Sequence, residues 1–253
     1  MTDEPRYARQ LVLDEIGPEG QRRLAAGSVL VAGCGALGGN QAQLLVRAGV
    51  GRVRIVDRDV PEPSNLPRQV LFDEDDVAAG RPKAEVAAER LRRVNRAAAI
   101  EERVVAIGAG NAEELIADVE LVLDATDNFP TRYILNDACV KHGVPWIYGG
   151  IVGTSGMCLV VLPGRGPCLR CLFPDPPAGP GLPTPATEGI LNTVPALIAA
   201  VQVTEAIKLL CGEPPATDLL LVDAWQRTFR SVPVERDPAC PCCGRDRFDF
   251  LAS

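Results

Sequence analysis

The stretch VLVAGCGALGG, residues 29–39, constrains the fold more than any other part of the chain. An apolar, β-branched segment runs straight into Gly33-x-Gly35-x-x-Gly38 and then into residues of helical pattern. A glycine turn between a buried strand and a helix is the opening unit of a doubly wound sheet. Gly33 permits the tight turn, Gly35 lets a phosphate approach the backbone, and Gly38 lets helix and strand pack closely. Ala36 opens the helix, whose free N–H groups and positive dipole end suit an anion. Asp57 follows nineteen residues after Gly38, at the end of the next strand-like segment, where a ribose-binding acid belongs. The pattern fits the adenosine ribose of NAD and of ATP equally well. A glycine-rich strand–helix turn without a ligand is the plainer alternative.

Segments of strand and helix pattern alternate through the first half, which implies βαβ units and a parallel sheet with helices on both faces. The periodicity predicts strands over 28–33, 51–57, 99–107, 119–126 and 144–150. It predicts helices over 36–48, 82–95 and 130–141, with Pro82 near the first turn of the second. The pattern then changes. Residues 156–164 read as a strand of an antiparallel hairpin, and 190–211 as a buried helix. Two strands are expected around 218–234, followed by a short cysteine-bearing tail, 237–253. Between them, residues 174–185 hold six prolines among twelve and are expected to be a mobile loop, neither helix nor central strand.

Composition narrows the class. With 253 residues, 47% of them hydrophobic, the chain can bury one large α/β core, alone or with a small appendage. Aromatic residues make up 4%, so Val, Leu, Ile and Ala must fill that core. A net charge of −7 argues against nucleic acid or an anionic membrane as the main partner. No uninterrupted apolar run of about 18 residues occurs, so no membrane span is expected. The polar start MTDEPRYARQ does not resemble a secretory signal, and a soluble cytoplasmic protein is the expectation.

A second group of residues goes beyond what a dinucleotide needs. SNLPRQ, 64–69, and GRPK, 80–83, offer Asn65, Arg68 and Lys83. A triphosphate carries about four negative charges, more than a loop dipole neutralises. Arg68 and Lys83 would supply two positive charges, and Asn65 a neutral hydrogen bond. Lys83 alone would pass for a solvated lysine, yet a lysine in a first turn opposes the helix dipole. In LDATDNFPTR, 123–132, Asp124 and Asp127 fall at the C-terminal end of a strand, the edge where such sheets bind ligands. Asp127 could hold Mg²⁺ against phosphate oxygens or cap the helix before Pro130. His142 is the only histidine and is expected in a surface loop. Hydride transfer to or from a hydroxyl carbon usually needs an acid/base beside the nicotinamide, and none stands out. A carboxylate attacking a phosphate needs only positioning and charge neutralisation.

Nine cysteines in such a chain point to reduced thiols or metal ligands. Cys168 and Cys171 form one CxxC pair, Cys240 and Cys243 another, together a set for structural Zn²⁺. Cys242 is an extra thiol that could replace a neighbour. Cys34, Cys139, Cys158 and Cys211 are expected to pack as small hydrophobes.

RYARQ (6–10), the glycine turn, Asp57, SNLPRQ, GRPK, DATDN and the two CxxC pairs occur together in an order that resembles the ThiF/MoeB/HesA family, whose domains are similar to the adenylation domains of ubiquitin-activating enzymes. The resemblance covers nearly the whole chain. It implies one Rossmann-like adenylation domain over 1–253, with a nucleotide-binding half (1–150) and a carrier-binding half (151–253) holding a crossover loop (172–189) and a zinc-tied tail. It implies a homodimer that uses ATP and Mg²⁺ to activate the C-terminal glycine of a small ubiquitin-fold sulfur carrier ending in Gly-Gly. Asp57 would bind the ribose, and Asn65, Arg68 and Lys83 the phosphates. Asp127 would serve the metal and the reacting centre, with Ser64 and Asn128 beside them. Arg9 would reach into the partner subunit's site, and Cys168, Cys171, Cys240 and Cys243 would bind zinc. Where many relatives carry a crossover-loop cysteine, this sequence has Pro185, and no cysteine lies in 172–210. No sulfurtransferase domain is expected to accompany this adenylation domain. The expectation is an adenylyltransferase that hands its acyl-adenylate to a separate sulfur donor. An NAD-dependent oxidoreductase, or an adenylating enzyme for a peptide or small-molecule carboxylate, is the alternative.

Overall fold

The alternation of apolar residues along the central strands sorts them between two cores. Val29 and Val31 face one cluster while Leu30 and Ala32 face the other. Leu121 and Leu123 against Val122, and Ile147 against Trp146 and Tyr148, repeat the pattern. A sheet apolar on both faces needs cover on both, and helices supply it. A computed structural model describes residues 4–177 and 185–252.

The strands are β1 (Ser28–Ala32), β2 (Arg52–Val56), β3 (Ala99–Arg103), β4 (Leu121–Asp124), β5 (Trp146–Val152), β6 (Ser155–Val161), β7 (Leu219–Asp223) and β8 (Thr228–Val232). They form one eight-stranded sheet in the order β3-β2-β1-β4-β5-β6-β7-β8. The pairs from β3 through β5 are parallel, and those from β5 through β8 are antiparallel. The N-terminal helices are α1 (Glu4–Leu11) and α2 (Gly17–Ala26). Within the parallel half lie α3 (Ala36–Ala48), α4 (Glu74–Ala79), α5 (Lys83–Val94), α6 (Ala112–Ile116) and α7 (Phe129–His142). Two single turns, α8 (Leu169–Leu172) and α9 (Pro185–Glu188), precede α10 (Thr193–Cys211). The first core cluster joins residues of α3, α5 and α10 to the sheet, and the second joins α6, α7 and α8.

The predicted elements are present, with shifts that have local causes. β3 stops at Arg103 instead of 107, because β2, its ladder partner, ends opposite it at Val56. Val104 and Val105 are left exposed. Helix α7 runs one residue further than expected, so His142 is its last residue and not part of a loop. Gly143, in the left-handed conformation, closes the helix behind it. Pro185 does not interrupt structure but opens α9, where its fixed φ suits a first helical position. Residues 174–177 of the proline-rich segment form neither helix nor strand, and 178–184 lie outside the described residues. The four remaining cysteines, Cys34, Cys139, Cys158 and Cys211, are buried as expected. Helix α10 is long and apolar enough, by length and composition, to cross a membrane. It instead packs against α3, β5 and β6, with Gln202 and Glu205 buried inside the fold.

Candidate active site

The order of strands reverses between β1 and β4. In open α/β sheets the binding crevice lies outside the C-terminal ends of the strands at such a reversal, and here the glycine turn follows β1 at that place. Gly33 has φ +101°, and a Cβ added to it would lie 2.7 Å from the carbonyl oxygen of Ala125. A Cβ on Gly38 would lie 1.9 Å from the carbonyl oxygen of Gly33, so helix and strand touch only because that atom is absent. Around Gly35 the nearest neighbour of such a Cβ is Gln69 Nε2 at 3.6 Å, so the backbone there stays open to close approach. Ala36 is the first residue of α3.

Asp57 braces this turn. Its Oδ2 accepts from the Cys34 amide at 2.7 Å, and its Oδ1 from the Asp59 amide at 2.8 Å. Burial raises its pKa above the ordinary aspartate value. The two amides and the nearby charge of Lys83 pull the other way. Cys34 inside the turn is fully buried, and burial pushes its thiol up, so it is no nucleophile at neutral pH.

The loop after Asp57 folds back over the turn. Asn65 is buried and closes a one-turn 3-10 helix, Pro63–Asn65, its Oδ1 accepting from the Glu62 amide at 3.2 Å. Arg68 Nη1 donates to the Ser64 carbonyl at 2.6 Å, which fixes the side chain along the loop. Gln69, the last residue of SNLPRQ, is a residue the sequence reading misses: it is 6% exposed, and its Oε1 has no hydrogen-bond partner among the described residues. Lys83 is the first residue of α5 and is 6% exposed, contrary to the solvated lysine that its position alone suggests. Its amide donates to the Asp59 carbonyl at 2.8 Å, and its Nζ stands 4.0 Å from Asp59 Oδ2. A buried ammonium with so distant a partner, set against a helix dipole, fits an anionic ligand.

Across the crevice the two acids after β4 divide. Asp124 is fully buried and structural. It accepts from Thr126 N at 2.9 Å, Thr126 Oγ1 at 2.7 Å, Arg132 Nε at 3.0 Å and Gly149 N at 3.4 Å. Asp127 is exposed and accepts from Asn128 Nδ2 at 3.2 Å. The helix cap weighed for Asp127 is made instead by Asn128, whose side chain accepts from the Thr131 amide at 2.9 Å. Asp127 is thus left free of the capping role, facing solvent just beyond the C-terminal end of β4.

Arg9 is not brought to the crevice within the chain. Its neighbour Gln10 donates to the Ala48 carbonyl at the far end of α3, about 20 Å from the glycine turn by helix length. His142 is also remote, bonded to Glu113 Oε1 at 2.5 Å on the surface.

The four cysteines of the two CxxC pairs do converge, with all four Sγ atoms within 4.8 Å of one another. Cys168 and Cys240 approach to 3.6 Å, and Cys171 and Cys243 to 3.4 Å. A tetrahedral zinc with Zn–S of about 2.3 Å requires sulfurs roughly 3.8 Å apart, so the set fits that metal. Cys242, the extra thiol, is not one of the four; its sulfur accepts from Asn136 Nδ2 at 3.3 Å.

A model of the ThiF family matches residues 7–242. The sulfur carrier protein adenylyltransferase of Thermus thermophilus is 46% identical over 246 residues, which cover 94% of this chain and 90% of that protein. The SAMP-activating enzyme E1 of Haloferax volcanii is 44% identical over 252 residues, covering 99% of this chain and 92% of that one. Among solved structures, Escherichia coli MccB with ATP superposes with a TM-score of 0.79 at 24% identity, over 94% of this chain and 74% of that chain. That last likeness carries the fold alone. With one family model spanning nearly its whole length, and relatives above 40% identical over nine-tenths of it, the chain belongs to the ThiF family.

Proposed function

We propose that the chain is an ATP-dependent adenylyltransferase that activates the C-terminal glycine of a small ubiquitin-fold sulfur carrier. The observation that carries this reading is Lys83, a buried ammonium at the start of α5 whose charge bears on Asp57 beside the glycine turn. The names of the relatives support the same class of reaction. The glycine turn and the α3 N-terminus bind phosphate, and Asp57 accepts from the ribose hydroxyls. Asn65, Arg68 and Lys83 hold the triphosphate, with Ser64 and Asn128 in the surrounding wall. Asp127 would hold Mg²⁺, whose charge screens the phosphates when it is bound.

The carrier's terminal carboxylate is already ionised and needs no base. One of its oxygens forms a bond to the α-phosphorus while the bond from that phosphorus to the bridging oxygen breaks. The electron pair leaves with pyrophosphate, and the product is an acyl-adenylate. Arg68 and Lys83 offset the charge that gathers on the leaving pyrophosphate. Arg9 completes the site of a second subunit in a homodimer, since its own crevice is out of reach. Pro185, standing where a crossover-loop cysteine would be, leaves no thiol for covalent capture, and a separate sulfur donor takes the adenylate. The two domain halves divide this work, 1–150 binding nucleotide and 151–253 receiving the carrier.

Incubation with ATP, Mg²⁺ and a small partner ending in Gly-Gly should raise the partner's mass by that of one adenylyl group. A partner that binds but gains no mass would count against the reading. Hydride transfer is not favoured, because the one histidine is tied to Glu113 on the surface.

A further inference from the structure

We propose that Asn136 is a positioning residue that assembles the zinc site, by pinning both cysteine knuckles to α7 from behind. The inference rests on reading the four converging cysteines as a zinc centre. Asn136 is fully buried. Its Oδ1 accepts from the backbone amide of Leu169 at 2.9 Å, inside the Cys168–Cys171 knuckle. Its Nδ2 donates to Cys242 Sγ at 3.3 Å, inside the Cys240–Cys243 knuckle. One amide side chain therefore uses its acceptor on the first knuckle and shares its donor between the second knuckle and Asp137 Oδ1, also at 3.3 Å, although Cys168 and Cys240 lie 72 positions apart in sequence.

Two knuckles on separate segments meet only if something sets their spacing before the metal arrives. Four thiolates repel, so their own chemistry does not bring them together without a cation. Asn136 supplies a neutral link whose cost is met on both sides, because neither half of the amide is left unpaired. The next residue reinforces the arrangement: Asp137 Oδ2 accepts from the Phe250 amide at 3.2 Å, just past the second knuckle. Outer partners of this kind typically change metal affinity by about 10- to 100-fold when removed. The extra cysteine also gains a role. Cys242 serves as the sulfur through which Asn136 grips the second knuckle.

Asn136→Ala removes both links. Asn136→Asp keeps the acceptor for Leu169 and loses the donor to Cys242. The full chain, purified with zinc, would be mixed with a chromogenic chelator under native conditions, and the rate of metal transfer followed by absorbance. Leu91→Ala, a cavity in the opposite core, serves as a control destabilised away from the cysteines. The expected result is transfer at least about tenfold faster in Asn136→Ala, an intermediate rate in Asn136→Asp, and a wild-type rate in Leu91→Ala. Wild-type rates in both Asn136 variants would overturn the proposal while leaving the zinc reading intact. So would equal acceleration in Leu91→Ala, which would trace release to general unfolding. A wild-type protein that holds no zinc would overturn the zinc reading and this inference with it.

Discussion

Arg132 Nε lies 3.0 Å from Oδ2 of Asp124, with the arginine side chain 9% exposed and the carboxylate not exposed at all. The same guanidinium donates through Nη2 to the carbonyls of Thr126 at 2.7 Å and Gly149 at 3.0 Å. It also lies over the rings of Phe129 and Tyr148, 5.3 and 5.1 Å from their centroids. The loop that carries Asp127 is thereby fastened to β5. Breaking a buried pair from one side leaves an uncompensated charge, at a cost of about 3–5 kcal/mol. Arg132→Met should lower Tm by roughly 10 °C or more in a calorimetric scan. Arg132→Lys should not restore it, because one ammonium cannot replace three directed bonds.

Lys83 shows the reverse balance. Buried at a helix start with its partner at 4.0 Å, it stabilises the free protein little or not at all. Lys83→Met should raise Tm by about 2–4 °C, corresponding to about 1 kcal/mol, while adenylate formation falls about 100-fold or more. Loss of both stability and activity would mark Lys83 as a structural residue.

Asp57 gives a pH dependence. Its pKa in the folded chain is raised by burial above the ordinary value of 3.8, so the folded form binds the proton more tightly than the unfolded one. Stability from this group is present below the unfolded pKa and is lost as pH rises through the folded one. Asp57→Asn should remove that loss, and denaturant titrations at several pH values would show a flatter profile. On the proposed reading, nucleotide binding needs the ionised form of Asp57 as acceptor. Wild-type affinity should therefore weaken as pH falls through the raised pKa, and the Asp57→Asn variant should bind weakly throughout.

The cysteines make a separable pair of predictions. Elemental analysis should give about one zinc per chain. Cys171→Ser should lose the metal and increase amide exchange over 237–252, whereas Cys242→Ser should keep the metal. Zinc retention in Cys171→Ser would contradict the assignment.

The parallel half of the fold is legible in the sequence because buried strands and amphipathic helices leave plain periodicities. The glycine turn and Asp57 are legible because few residue types satisfy that geometry. Other features depend on distance through space. The burial of Lys83 follows from how GRPK packs against Asp59, which spacing alone does not reveal. Asp124 and Asp127 look alike in sequence, and only the position of Arg132, in the first turn of α7, assigns one to structure. Gln69 lies inside the SNLPRQ motif, but its burial and its unpaired carbonyl emerge only once the loop is folded. The helix cap falls at Asn128, one residue beyond Asp127, a shift no larger than the usual spread of a helix boundary. Short turns such as α8 and α9 have too few residues for any periodicity to register.

The central claim is nucleotidyl transfer to a carrier's carboxylate, and exchange of labelled pyrophosphate into ATP tests it most directly. Purified protein with Mg²⁺ and its cognate Gly-Gly carrier should catalyse exchange that depends on the carrier and falls about 100-fold or more in Arg68→Ala. Absence of exchange in the wild type, together with tight NADH binding and no ATP binding, would contradict the account.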